Sequence, residues 1–121
     1  MSKRVAITGV TGSIGMALLE KYLKEGYEVV AVCRKGSDRN KQILPHPKVR
    51  IVEADLCGLA DLQLPDDKPC ETFYHFAWGG TFGADREDYD LQVRNITGTL
   101  DAVRLAARLG CRTFVGAGSQ A

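Results

Sequence analysis

Three glycines follow the first strand-like segment of the chain at intervals of three residues. Gly9, Gly12 and Gly15 lie in the run TGVTGSIG, directly after the apolar residues VAI. Such a turn needs glycine where the backbone bends tightly, where a phosphate approaches and where helix packs on strand. The N–H groups and positive dipole end of the following helix would then face an anion. The spacing predicts a pyrophosphate-binding turn, although an ordinary glycine-rich turn without a ligand has the same local pattern.

The residues after the first two glycines have helical spacing. Ile14, Ala17, Leu18 and Tyr22 recur on one helical face, and Gly26 predicts the end of the helix. The N-terminal segment therefore presents a strand, a glycine-rich turn and a helix in the order that dinucleotide binding requires.

Strands and helices alternate through the rest of the chain. Further strands are predicted at residues 28–33, 49–54, 72–77 and 113–118, a short helix after Asp55, and the longest helix from about Asp88 to Leu109. Ile96, Leu100, Val103 and Ala107 share one face of that long helix, and Gly110 predicts its end. The pattern predicts one α/β domain over residues 1–121, a three-layer, Rossmann-type doubly wound parallel sheet with the visible strand order 3-2-1-4-5.

Composition excludes several classes of protein. The 121 residues are 45% hydrophobic and 26% charged with a net charge of +1, so we expect a globular domain without a nucleic-acid footprint. The four cysteines are scattered without a C-x-x-C pair, which predicts neither a metal site nor a disulfide framework but reduced, partly buried thiols. They are Cys33, Cys57, Cys70 and Cys111. The first strand leaves no room for a signal peptide, and no apolar stretch has membrane-spanning length. A cytoplasmic protein is expected.

Five short segments occur in a characteristic order. They are TGVTGSIG at 8–15, Asp55 with Leu56, HFAWGG at 75–80, NITGTL at 95–100 and VGAGSQA at 115–121. Together they resemble the extended short-chain dehydrogenase/reductases and, among these, the NAD-dependent epimerase/dehydratase family that acts on nucleotide sugars. The resemblance covers the whole chain.

This resemblance implies a set of site residues. With the basic residue Arg34, the candidate cofactor-binding residues are Gly9, Thr11, Gly12, Ser13, Ile14, Gly15, Arg34, Asp55, Leu56, Phe76, Ala77 and Trp78. The glycines and Ile14 would hold the pyrophosphate, Asp55 would accept a hydrogen bond from the adenine amino group, and Leu56 would pack on the adenine. Ala77 would lie near the nicotinamide. Ser119 corresponds to the family's active-site serine, and Asn95 to a structural or proton-relay asparagine.

Simpler interpretations compete with several of these roles. Asp55 could cap the short helix that follows it, and His75 could simply pack and hydrogen-bond locally. Trp78 could be a substrate-facing stacking surface or a partly buried loop anchor. Asn95 and Gly98 are both unfavourable in a helix interior, which indicates an internal hydrogen bond or a close backbone approach.

Cofactor choice depends on the end of the second strand. An acidic residue there would bind the adenosine ribose hydroxyls and repel the 2′-phosphate of NADP. The sequence instead has Cys33, Arg34 and Lys35, with Ser37 and Arg39 close behind. A guanidinium could bind a 2′-phosphate through charge-assisted hydrogen bonds, so NADP is favoured while NAD stays compatible.

The resemblance implies hydride transfer on a nucleotide sugar or another hydroxyl or carbonyl substrate, with a tyrosine, paired with a lysine four residues later, as acid and base. None of the tyrosines present has that lysine; they are Tyr22, Tyr27, Tyr74 and Tyr89. We therefore expect the N-terminal part of an enzyme, truncated before the later strands and the substrate lobe, which binds cofactor without catalysing. Alternatives are a non-catalytic NADP-sensing module and a cofactor-free interaction domain. A homodimer is the protein partner implied.

Overall fold

Five strands and two α-helices alternate along the chain. The structure, a computed structural model, describes residues 3–64, 66, 68–79 and 83–117. The strands are β1 Arg4–Thr8, β2 Glu28–Cys33, β3 Val49–Glu53, β4 Thr72–His75 and β5 Thr113–Gly116. The helices are α1 Ser13–Lys24 and α2 Tyr89–Arg108, and short 3₁₀ helices cover Asp38–Gln42, Leu56–Asp61 and Gly83–Glu87.

All five strands are parallel, in the order β3-β2-β1-β4-β5, which confirms the predicted topology. Alternate side chains of β1 enter two different core clusters. Val5 and Ile7 pack with α1 on one face, whereas Ala6 packs with α2 and the 3₁₀ helix Leu56–Asp61 on the other. The strand order reverses between β1 and β4, so the carboxyl ends of these two strands diverge into a crevice.

Glycine ends both α-helices where the sequence predicted. Gly26 and Gly110 have φ values of +82° and +73°, in the left-handed region that glycine adopts without strain. Strand β4 is shorter than predicted and ends at His75 rather than Ala77. Beyond His75 the Phe76 N–H is shared between the Thr8 carbonyl at 3.2 Å and the Thr8 hydroxyl at 3.1 Å, and the Ala77 N–H bonds to that hydroxyl at 3.2 Å instead of continuing the ladder.

The apolar residues of α2 share one face as predicted, but that face is exposed. Ile96, Leu100 and Val103 are 57%, 53% and 45% exposed. The buried face carries Leu105 and otherwise small and polar residues, because α2 packs closely against the 3₁₀ helix Leu56–Asp61. A side chain on Gly98 would collide with Leu56, which confirms the expected close approach. In the part of the chain that the structure describes, no helix is both long and apolar enough to span a membrane.

Candidate functional site

A cleft of about 750 Å³ opens at the carboxyl ends of the strands, beside the reversal in strand order. Its size is typical of small-molecule sites, which occupy roughly 300–1,000 Å³. Ten of the residues predicted from the sequence line it: Gly9, Thr11, Gly12, Arg34, Asp55, Leu56, Phe76, Ala77, Trp78 and Asn95. Local sequence patterns thus identified segments that only the fold brings together.

Three other predicted residues are not on the cleft wall. Ser13, Ile14 and Gly15 belong to the first turn of α1 behind the wall, where Ile14 is 68% exposed and Gly15 is buried. Their backbone N–H groups, rather than their side chains, are what this turn can offer a ligand. Ser119 lies outside the described residues.

The three glycine positions of the turn differ in whether the surrounding structure requires glycine. Gly9 has a φ of +67°, and a Cβ there would lie 2.7 Å from backbone atoms of Phe76 and Ala77. A Cβ on Gly15 would run into the backbone of Gly9 and Val10. Gly12 differs, because a Cβ there would meet only the Gly9 carbonyl oxygen, at 3.5 Å, which is an ordinary contact. Packing within the protein therefore explains Gly9 and Gly15 but gives no steric reason for Gly12.

Gly12 is also the N-cap of α1, and no side chain caps this helix. Most helices use a serine, threonine or acidic side chain to satisfy the first N–H groups, as Asp88 does for α2 by accepting from Leu91 N–H at 3.1 Å. At α1 these donors and the positive end of the helix dipole remain available to an anion. The start of α1 therefore has backbone donors that can bind an anion such as a phosphate.

The hydroxyl of Thr8 links the end of β1 to the residues that follow β4 at the cleft. Its oxygen accepts the N–H groups of Phe76 and Ala77 and lies 2.7 Å from Nδ1 of His75. Because both lone pairs are used, the hydroxyl must donate its proton to Nδ1, and a neutral His75 carries its own proton on Nε2. The expectation that His75 bonds locally is confirmed. Its Nε2 is buried and has no hydrogen-bond partner among the described residues.

His75 should make the stability of the chain depend on pH. Burial lowers the pKa of His75 below the usual histidine value of 6.5. The unfolded chain then binds a proton more readily than the folded protein, so the free energy of unfolding is fully present above about pH 6.5 and falls as the pH drops toward the folded pKa. Urea unfolding at about pH 7.5 and about pH 5.5 should show this loss.

The His75→Gln variant should lose that part of the pH dependence, whereas His46→Gln, which changes an exposed histidine, should keep it. An unchanged difference between the two pH values in His75→Gln would assign the effect to other groups.

Asn95 clamps the loop after β4 onto α2. Its side-chain oxygen accepts the N–H of Gly79 at 2.9 Å, and its amide nitrogen donates to the Gly79 carbonyl at 2.8 Å and to Gln92 at 3.1 Å. Asn95 is completely buried. The internal hydrogen bond that its mid-helix position indicated is therefore present, and both amide hydrogens are in use. Trp78, which precedes Gly79, lines the cleft and is 47% exposed, so Asn95 rather than Trp78 anchors the loop.

At the opposite end of the cleft, Asp55 precedes the 3₁₀ helix Leu56–Asp61 but makes no side-chain capping bond to it. Asp55 occupies the N-cap position and accepts the Gly58 N–H through its carbonyl at 2.9 Å, but its side chain does not cap the helix. Its exposed carboxylate stands on the cleft wall as an acceptor for a ligand, and the half-buried Leu56 follows it.

Arg39 joins this end of the cleft to the glycine turn, because its guanidinium donates to the Thr11 carbonyl at 3.0 Å. Nearby, the side chain of Asn40 donates to the Arg34 carbonyl at 2.8 Å. Sequence reasoning noted Arg39 only as a nearby basic residue and did not identify Asn40, Asp85 or Arg94, which also line the cleft. Only the periodicity of the 3₁₀ helix Asp38–Gln42 could have indicated that Arg39 turns toward the glycines.

Solved structures share this fold. The chain is similar to a UDP-galactose 4-epimerase (25% identity, TM-score 0.77) and to the Bordetella bronchiseptica enzyme WbmH in complex with NAD+ (26%, 0.70). It is also similar to MoeE5 in complex with UDP-glucose and NAD (25%, 0.73). The alignments cover 97%, 94% and 97% of this chain but 38%, 38% and 36% of those chains. The chain therefore spans less than two fifths of their length. A comparison with curated protein sequences found no match.

A family profile matches almost the whole chain. The profile of the NAD dependent epimerase/dehydratase family aligns with residues 5–121, from the first core strand through the glycine turn to the last residue. The match includes every segment that builds the cleft. This chain belongs to the NAD-dependent epimerase/dehydratase family.

Proposed function

We propose that the cleft binds a nicotinamide dinucleotide, with its pyrophosphate over Gly12 and its adenosine toward Arg34 and Arg39. The observation that carries the proposal is the uncapped start of α1 behind a glycine for which the protein itself gives no steric reason. Such a cofactor supplies hydride transfer at its nicotinamide ring. Asp55 would accept from the adenine amino group, and Phe76, Ala77 and Trp78 would lie toward the nicotinamide. The NAD in the WbmH and MoeE5 structures supports this class of cofactor.

The whole protein would act on a nucleotide sugar as an epimerase, dehydratase or reductase. The UDP-glucose in the MoeE5 structure supports this substrate class. Within the 121 residues, no tyrosine has a lysine four positions later, so this chain would bind cofactor without completing the reaction. Ser119 and Asn95 would be its contributions to the substrate end. The hydrogen bonds of Asn95 favour a positioning role, and its role in proton relay stays a prediction.

We propose further that NADP is preferred to NAD. The residue after β2 is Arg34, Arg39 stands on the same side of the cleft, and no carboxylate occupies the end of β2, where it would repel a 2′-phosphate. Guanidinium groups form strong, directed hydrogen bonds with phosphate.

Calorimetric titration with NADPH and NADH at matched ionic strength tests both proposals. The Arg34→Asp variant should lose NADPH affinity by about tenfold to a hundredfold, because a charge-assisted hydrogen bond contributes about 1.5–3 kcal/mol. Its affinity for NADH should change little. Arg39→Ala should weaken the binding of both coenzymes, because the Arg39 guanidinium also donates a hydrogen bond to the Thr11 carbonyl in the glycine turn. The matched control is Lys41→Asp, a basic residue of the neighbouring 3₁₀ helix whose side chain is 86% exposed. An equal loss of affinity for both coenzymes in Arg34→Asp would refute the NADP preference. Absence of binding of either coenzyme by the parent chain would refute the proposed cofactor site.

The exposed face of α2 supports a homodimer as the assembled form. Tyr89, Val93, Ile96, Leu100 and Val103 recur at intervals of four and three residues, the spacing of a helix that packs along another helix. A second copy of the chain would cover this face. Sedimentation equilibrium should then show a dimer that Ile96→Asp dissociates, and a monomeric parent chain would contradict it.

A further inference from the structure

Two cysteines far apart in the sequence meet at the amino ends of β4 and β5, the end of the sheet opposite the cleft. The register pairs Thr72 with Thr113, and the same register carried two residues back sets Cys70 beside Cys111. The intervening backbone continues the pairing, since Arg112 N–H donates to the Glu71 carbonyl at 2.9 Å. Cys70 is buried in a core cluster, and Cys111 packs against the same cluster. Both cysteines are free thiols.

The backbone at both positions is held in place. Cys70 N–H donates to the Leu109 carbonyl at 3.0 Å. Cys111 follows Gly110, whose positive φ ends α2, and its own N–H donates to the Ala106 carbonyl at 3.0 Å. Neighbouring strands lie about 4.8 Å apart, within the Cα separation of about 4.4–6.8 Å that a disulfide spans. Two cysteines paired across neighbouring strands in this way therefore lie within the Cα span that a disulfide requires.

The two thiols differ in access and in acidity. Cys70 is 1% exposed, whereas Cys111 is only partly buried. The neighbouring Cys70 thiol lowers the pKa of the Cys111 thiol, whereas the neighbouring Cys111 thiol, together with burial, raises the pKa of Cys70. Cys111 is therefore the sulfur that becomes a thiolate and can be reached from solvent, and Cys70 is the protonated partner behind it.

We propose that Cys70 and Cys111 form an oxidation site that reacts with a hydroperoxide and closes to an intramolecular disulfide. The Cys111 thiolate attacks a peroxide oxygen, the O–O bond breaks, and the sulfur becomes a sulfenic acid while hydroxide leaves. The Cys70 sulfur then attacks the Cys111 sulfur, the S–O bond breaks, and the oxygen leaves as water. In total the two thiols lose two electrons and two protons, and hydrogen peroxide is reduced to two molecules of water.

Peptide mapping of the full 121-residue chain tests the linkage. The chain is treated with hydrogen peroxide, its remaining thiols are alkylated with iodoacetamide, and the digest is analysed by mass spectrometry. We expect peptides joined through Cys70 and Cys111, a chain lighter by two hydrogen atoms, and recovery of both thiols with dithiothreitol. The matched control Cys33→Ser, which removes another buried cysteine, should form the same linkage. Alkylation of both Cys70 and Cys111 after peroxide, or a linkage between any other pair, overturns the proposal.

A trapping experiment tests the order of the steps. In Cys70→Ser the resolving thiol is absent, so the sulfenic acid should persist at Cys111 and be labelled there by dimedone. Absence of label from Cys111 would contradict this order. Peptide mapping of the parent chain needs no variant. The disulfide proposal can therefore still be refuted if Cys70→Ser folds poorly.

Thermal unfolding tests the claim that the folded backbone already accepts the bond. The disulfide would close the loop that contains β4 and α2 and would restrict the unfolded chain. The oxidised chain should therefore melt several degrees higher than the reduced chain, and dithiothreitol should reverse the shift. A lower melting temperature after oxidation would mean that the bond strains the strands.

Discussion

Replacing Gly12 by alanine should weaken dinucleotide binding by about tenfold to a hundredfold while the chain stays folded. A methyl group at Gly12 would occupy space that the pyrophosphate needs, and forced overpacking costs about 1–3 kcal/mol. Within the protein the methyl would have only an ordinary contact, and the backbone of Gly12, with φ of −77° and ψ of 171°, suits alanine. The free energy of unfolding should therefore change by no more than about 1 kcal/mol.

Gly15→Ala is the matched comparison for this variant. The added methyl would collide with the backbone of Gly9 and Val10, which flexible side chains cannot relieve. We expect loss of stability by about 3 kcal/mol together with loss of binding. Calorimetric titration and urea unfolding of the two variants separate a glycine that a ligand requires from one that the fold requires. If Gly12→Ala binds NADPH and NADH like the parent chain, the dinucleotide does not pass over this residue.

Replacing Asn95 by alanine should lower the free energy of unfolding by about 3 kcal/mol. The change leaves the half-buried Gly79 N–H and carbonyl without their partners and removes the buried Asn95 side chain, and each unsatisfied buried group costs about 1–3 kcal/mol. The melting temperature should fall by about 10 °C. The control is Asn40→Ala, which removes a hydrogen bond at the surface and should cost little.

Asn95→Asp distinguishes the hydrogen bonds from simple packing. Aspartate keeps the acceptor for Gly79 N–H but faces the Gly79 carbonyl with an oxygen, and at neutral pH it buries a charge. We therefore expect this variant to be more stable relative to the parent chain at acidic pH than at neutral pH. Equal stability of all three chains in urea unfolding would show that the Asn95 clamp contributes nothing.

Local sequence pattern predicted most of the secondary structure. The β-branched run at 28–33 became β2 with the predicted limits, and α2 begins and ends within one residue of its predicted limits, since Asp88 caps it and Gly110 follows it. Periodicity and end signals act over a few residues, so they can be recognised without knowledge of the fold. The same periodicity could not show which face of α2 is covered. The apolar side chains of Ile96 and Leu100 are exposed, whereas the polar Asn95 is buried.

The sequence by itself determined where the glycine turn lies, which strands flank it and which segments end beside it. Only the tertiary structure decided how distant residues meet: Thr8 with His75, Arg39 with Thr11, Asn95 with Gly79 and Cys70 with Cys111. It also decided that Gly12, unlike Gly9 and Gly15, has free space in front of it. The physical reason is that turns and helix ends depend on backbone preferences within one turn of chain. Contacts between strands depend instead on sheet order and register, which the packing of the whole core determines.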